Sequence, residues 1–326
     1  MNESTLFLIA FIIYIAAAFF YFLFLFTKRD GMARNGFFLA IAGLGIHSLA
    51  LILRTIESGH APFTNMYESL SFLAWAAILA YVIMEGKYKI QKAGPYFMLI
   101  VIGLMALASS PLMPNNATPL VPALQSYWLW LHVSVTLIGE AFFAVAFVTS
   151  IMYLISESKE RRGLKPGLSS EKLDSISYRL IAIGFPLFTL GGLVFGMVWA
   201  YKAWGTYWSW DPKETWSLIT WFVFALYLHT RIVMGWKGRR SAIVAIIGFL
   251  AAIFTYFGVN YLLAGLHSYV VRAGFREGGA GVVIALAAAV NATMGLAMAS
   301  ESEPANARAV HRRLRPVASG RLPKTA

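Results

Sequence analysis

TLFLIAFIIYIAAAFFYFLFLFT, residues 5–27, carries no charged side chain. A helix of that length, at about 1.5 Å per residue, crosses a ~30 Å hydrocarbon core. The chain opens Met1-Asn-Glu-Ser and runs straight into this span, with no basic n-region before it and no small-residue cleavage site after it. It therefore reads as a retained first helix rather than a signal peptide. Comparable apolar runs recur at about 36–53, 69–84, 96–110, 128–155, 180–199, 216–234 and 241–257, the third and fourth being short. Backbone groups in lipid must be satisfied within their own segment, so the expected fold is an all-α polytopic membrane protein with eight transmembrane helices.

Composition points the same way. Apolar residues make up 59% of the chain, charged residues 13%, and the mean hydropathy is +0.65. A soluble domain needs about 25% charged residues. There is no cysteine, which removes disulfides and thiolate chemistry within the chain. Transition-metal ligands must come mainly from the six histidines. The net charge of +12 raises a nucleic-acid reading, but the basic residues sit in short loops between apolar spans, which argues against a nucleic-acid partner. The loops after spans one, three, five and seven hold sixteen Lys and Arg, whereas the opposite loops hold only Arg54, Lys202 and Lys213. That asymmetry predicts an outside N-terminus, in a multi-pass protein of the cytoplasmic (inner) membrane.

Two helix starts are legible. Asn65-Met-Tyr-Glu68 and Asp211-Pro-Lys-Glu214 each place a capping side chain three residues before a carboxylate, and the second has proline at the first helical position. Beyond Tyr269 the character changes: residues 271–326 hold one aromatic, Phe275, and are rich in Ala, Arg and Gly. Gly281–Ala299 is a weak candidate for a ninth span, and a disordered tail is the competing reading.

Six of the ten tryptophans fall between Trp199 and Trp221. An interfacial aromatic belt explains Trp199, Trp216 and Trp221, which stand at span ends. It explains poorly the cluster of Trp204, Trp208 and Trp210 in one outer loop, 200–215. Flat amphipathic rings there also suit a large planar apolar ligand with one wet edge.

Trp204-Gly-Thr-Tyr-Trp208-Ser-Trp210-Asp211-Pro-Lys-Glu-Thr-Trp216 resembles the tryptophan-rich "WWD" signature of heme-handling membrane proteins of cytochrome c maturation. Size and histidine placement resemble the CcsA (ResC)-type subunit of the System II cytochrome c synthase. The resemblance covers residues 1 to about 270, making 1–270 a heme-handling transmembrane domain, and the tail departs from the family pattern. It implies that Trp204, Gly205, Tyr207, Trp208, Trp210, Asp211 and Trp216 contact heme b, which is both bound ligand and substrate. By sequence alone Asp211 has a sufficient role as the N-cap of span seven.

His132, at the outer end of span five, and His267, after span eight, share a membrane face with the tryptophan loop. Neutral imidazoles in such positions are candidate axial ligands, with helix–helix hydrogen bonds as the competing role. The resemblance assigns them to the iron of an external heme. His229 lies thirteen residues past Trp216, roughly 20 Å deeper along the helix. The resemblance places it in a second, intramembrane heme site whose other ligand comes from a ResB/CcsB partner. His47 reads as a structural hydrogen-bonding residue in mid-span, His60 as part of a mobile outer loop, and Glu140 as an intramembrane carboxylate in need of a polar partner.

The reaction implied is thioether formation between heme vinyl groups and the thiols of an apocytochrome c Cys-x-x-Cys-His motif. A holocytochrome c synthase (heme lyase) activity of this kind would require the partner subunit, with a thiol-reducing thioredoxin-like protein as a further partner. No residue is identified as its general acid or base. A heme exporter without ligase activity and a System I heme-delivery protein are rivals. A small-molecule secondary transporter would predict repeat symmetry that the sequence does not display.

Overall fold

The computed structural model describes residues 2–267 apart from 112, 114, 115, 117–119, 121 and 264. The expected tail, 271–326, with its candidate ninth span, lies outside the described residues. Eight long helices follow one another: α1 (Glu3–Thr27), α2 (Asp30–Ser58), α3 (Met66–Tyr88), α4 (Gly94–Ala108), α5 (Tyr127–Arg161), α6 (Ser170–Trp204), α7 (Pro212–Ile232) and α8 (Arg239–Leu262). Each expected span falls on one helix, and no strand occurs among the described residues. Among the described residues, seven helical segments are long and apolar enough to cross a membrane, α4 counting together with the short turn before it (Gln91–Ala108) and α7 being the exception. The 21-residue α7 is diluted by Lys213, Glu214, His229 and Arg231 near its ends.

Local chemistry starts these helices. Asn2, Asn65, Ser126, Ser169 and Asp211 each accept a backbone N–H of the first turn. The Asn65 box closes on one side only. Asn65 accepts the Glu68 N–H, but the Glu68 carboxylate turns to Thr64 and to the buried guanidinium of Arg54, 2.7 Å away. A buried cation takes precedence over a cap because leaving it unpaired is the larger cost.

α5 forms the axis of the bundle. Its apolar window is 83% buried, against 28% for α2, and α6, α3 and α8 pack around it. α6 lies close because Gly139 and Gly184 meet backbone to backbone; a Cβ on Gly139 would sit 2.8 Å from the Phe188 nitrogen. The outward faces stay apolar, as at Leu8, Ile12 and Phe19 of α1 and Phe222 and Leu226 of α7. Such faces suit a hydrocarbon solvent. His47 is a buried hydrogen-bonding residue, as expected, between Tyr14 (3.4 Å) and Ser71 (3.0 Å). His60 differs from expectation: it is buried, with Nδ1 donating to the Ala61 carbonyl.

Candidate functional site

The site begins with a fault in α6. Pro186 lacks an N–H, and the residues after it, Thr189–Phe195, wind as a π-helix. This stretch contains Gly191, where an added Cβ would lie 2.4 Å from the Thr136 nitrogen, so only glycine lets α6 touch α5 here. The Gly191 carbonyl accepts the Nδ1 proton of His132 at 2.8 Å. A carbonyl can only accept, so Nδ1 carries the hydrogen and Nε2 keeps its lone pair. Gly196 flanks the same ring, where an added Cβ would lie 3.0 Å from Cε1.

Three residues later stands Trp199. The interface-belt reading does not hold for it: the side chain is only 2% exposed and its Nε1 donates to the Ala123 carbonyl. Its ring lies parallel to His132, centroids 5.7 Å apart, and 5.4 Å from the ring of His267. Trp204, at the end of α6, contacts Trp199 at 4.8 Å and His267 edge-on at 5.3 Å. The two histidines, 135 positions apart in sequence, thus meet around one buried indole. Trp221 is likewise no belt residue; its Nε1 donates to Thr189 within the bundle.

Asp211 does two things at once. It caps α7 by accepting the Lys213 N–H at 3.0 Å, and Glu214 closes the box on the Asp211 N–H. It also accepts Nδ1–H of His267 at 2.7 Å and the N–H of Leu266. Burial works to raise its pKa, but the hydrogen bonds it accepts from His267 and from two backbone donors hold it below the usual carboxylate range. His267 is therefore oriented like His132, with Nδ1 committed and Nε2 free.

The loop before Asp211 is tightly shaped. Gly205 ends α6 in the left-handed region, φ 81°, and Trp210 also adopts φ 59°. Tyr207 stacks on Tyr201 at 4.4 Å, and Trp208 meets Trp210 edge-on at 5.7 Å. Trp204 and Trp208 both hold a buried Nε1–H with no hydrogen-bond acceptor among the described residues.

Lys213, counted in the sequence as a loop cation, turns into the bundle and donates to Asn260 Oδ1 at 3.2 Å. It lines two small hollows beside His132, Trp199 and His267, of about 100 and 130 Å³. Glu140, 7% exposed, faces the smaller hollow and a larger apolar cavity of about 320 Å³ among α3, α4, α5 and α8. Its expected polar partner is Lys213, which lines the same hollow and whose charge acts on Glu140 without a hydrogen bond or close ion pair among the described residues.

The structure thus gathers His132, His267, Trp204, Tyr207, Trp208 and Asp211. It sets apart Trp216, which packs on Phe254 at 4.2 Å, and His229, exposed on the outer face of α7. Trp210 and Gly205 shape the loop without lining either hollow. Trp199, Gly191 and Lys213 are site residues that the sequence reading missed.

The sequence matches the family model described as "Cytochrome C assembly protein" over residues 63–267. It is 44% identical to the cytochrome c biogenesis protein CcsA of Chlamydomonas reinhardtii, covering 69% of this chain and 67% of that protein. It is 40% identical to CcsA of Gloeobacter violaceus, covering 71% of this chain and 84% of that one. Among solved structures, the cytochrome c heme lyase CcmF aligns with a TM-score of 0.58 at 15% identity, covering 92% of this chain. The chain spans 56% of that protein's length, and the likeness is one of fold.

Proposed function

Because this chain belongs to the cytochrome c assembly protein family, in its CcsA-type branch, we propose that the His132–Trp199–His267 cluster holds heme by its iron and presents it for attachment to apocytochrome c. A role in cytochrome c maturation, in a multi-pass membrane protein, is the premise. One observation carries the finer reading: both imidazoles commit Nδ1–H to a fixed acceptor beside the same indole, leaving both Nε2 lone pairs for a metal. Porphyrin iron needs two axial donors, and paired histidines are an ordinary set. The two acceptor-less indole N–H groups fit a ligand that brings hydrogen-bond acceptors.

Heme as substrate supplies the vinyl groups, and each thioether forms by net addition of a cysteine S–H across one of them. This chain's residues contribute position. Gly191 and Asp211 lock the two imidazoles, Trp199 fixes their spacing, and Tyr207 and Trp208 border the mouth. The hollows fall well below the roughly 300 Å³ of an enclosing pocket, so the macrocycle lies at the opening, where a protein substrate can reach it.

Sidedness follows from charge. Of the three cations at the tryptophan end, Arg54 and Lys213 are drawn into the bundle, leaving Lys202 exposed against a richly basic opposite end. This supports placing the tryptophan end outside the cytoplasmic membrane. His229, on an outward face with Phe222, Leu226 and Val233, suits a second iron shared with a ResB/CcsB-type subunit, giving a heme lyase complex of two subunits.

The test is co-expression with that partner and an apocytochrome carrying Cys-x-x-Cys-His, with covalent heme read on a denaturing gel. His132→Gly and His267→Gly each abolish attachment, and added imidazole restores part of it. Undiminished attachment in both variants overturns the proposal.

A further inference from the structure

We propose that the apolar cavity among α3, α4, α5 and α8 is a binding site for a hydroxyl-bearing hydrocarbon lipid, entered from the membrane, with Glu140 as the partner of the hydroxyl. It shares only Glu140 and Tyr256 with the smaller hollow and does not depend on heme being held there.

Small residues make the space. Ala77, Gly103, Ala144 and Ala252 stand on walls otherwise built of larger side chains such as Leu104, Phe147 and Phe249. About 320 Å³ is left between them, within the roughly 300–1,000 Å³ of small-molecule sites. α4 and α8 scarcely touch each other. Along that seam Gly103, Leu107 and Ile253 are half-buried and Ala106 is exposed, so the cavity opens sideways into the hydrocarbon layer.

An apolar cavity alone would suit any acyl chain. Glu140 makes this one selective. Among the described residues only two polar side chains line it: Tyr256, whose hydroxyl donates to Ser69 at 2.7 Å, and Glu140. Glu140 is 7% exposed, and its carboxyl takes part in no hydrogen bond among the described residues. Lys213 acts on it through charge, from the smaller hollow, and does not line the large cavity. A buried carboxyl so placed is short of a hydrogen bond rather than of a counter-charge. A hydroxyl both donates and accepts, so it satisfies a carboxyl in either charge state.

Depth narrows the class further. Glu140 stands thirteen residues beyond Tyr127, the first of α5. That is about 20 Å along the helix, well inside a ~30 Å hydrocarbon core. Phospholipid headgroups stay at the interface, and their acyl chains carry no group to offer a carboxyl. A single hydrocarbon chain ending in a hydroxyl brings one to that depth.

The test places the complex with its partner in phosphatidylcholine nanodiscs, whose lipid has no free hydroxyl. It is labelled with a photoreactive dodecanol or with the methyl ether of the same chain, and crosslinks are located by mass spectrometry. The alcohol is expected to label Leu104 and Phe249 at about tenfold lower concentration than the ether, the order for one buried hydrogen bond to a carboxyl. Glu140→Leu abolishes that preference and leaves ether labelling in place, which also shows that the variant is folded. Glu140→Gln, which keeps a donor and an acceptor, retains part of the preference. Gly103→Phe fills the cavity from a position where an added Cβ meets nothing within 4 Å, and it removes labelling by both probes. Equal labelling by alcohol and ether in wild type, the mark of a cavity for plain acyl chains, overturns the proposal. So does labelling of Leu104 and Phe249 that Gly103→Phe leaves unchanged.

Discussion

Trp210 carries an exposed indole, 69% accessible, on a left-handed backbone at φ 59°. Such a conformation costs a non-glycine residue about 1–2 kcal/mol, and an exposed ring recovers little of it by packing. Strain combined with exposure marks a residue kept for what it touches. Trp210→Gly is expected to raise thermal stability by about 1 kcal/mol, measured by unfolding in detergent, while lowering cytochrome c assembly. Asp211 separates in the same way into two roles. Asparagine caps helices as well as aspartate does, so Asp211→Asn preserves the start of α7. It removes the anion behind His267, and heme affinity in a spectral titration should fall about 10–100-fold. The capping role and the tryptophan pattern were legible because both are local: cap, proline and carboxylate lie within four residues. The bond from Asp211 to His267 was not, since it joins positions 56 apart.

α6 shows why element-level reading succeeds on existence and fails on facing. Its span was plain from apolar length, but its π stretch changes the winding between Thr189 and Phe195. Every residue beyond it is rotated relative to a regular 3.6-residue repeat. Trp199 is therefore carried from a span-end belt position to the centre of the site, and a periodicity argument cannot anticipate this. Lys213 was missed for a related reason: at the first turn of α7 a cation reads as loop, and only the packed bundle turns it inward. Two substitutions test this helix. Gly191→Ala places a methyl 2.4 Å from the Thr136 nitrogen, which should separate α6 from α5 at a cost of about 1–3 kcal/mol in unfolding experiments. Gly196→Ala presses on the His132 ring, at 3.0 Å, with the Gly191 carbonyl oxygen in ordinary contact at 3.9 Å, and should shift the heme spectrum with far less effect on stability.

At the scale of the molecule, the eight spans follow from the demands of a hydrocarbon solvent, which leave helices as the main solution for an open chain of apolar runs. The convergence of α5, α6, α7 and the segment after α8 on one end is a property of packing. The sequence placed His132 and His267 on that end but not around a shared indole, a contact set by Gly139, Gly184 and Gly191. The claim at the centre is that these two histidines are the axial pair of one heme. It is tested in the purified complex, in a His229→Gly background that removes the proposed second ligand position, by the electron paramagnetic resonance and absorption spectra of the bound ferric heme. We expect a low-spin, two-imidazole signal that becomes high-spin in His132→Gly and in His267→Gly and returns when imidazole is added. A low-spin signal that persists unchanged in both variants would contradict it.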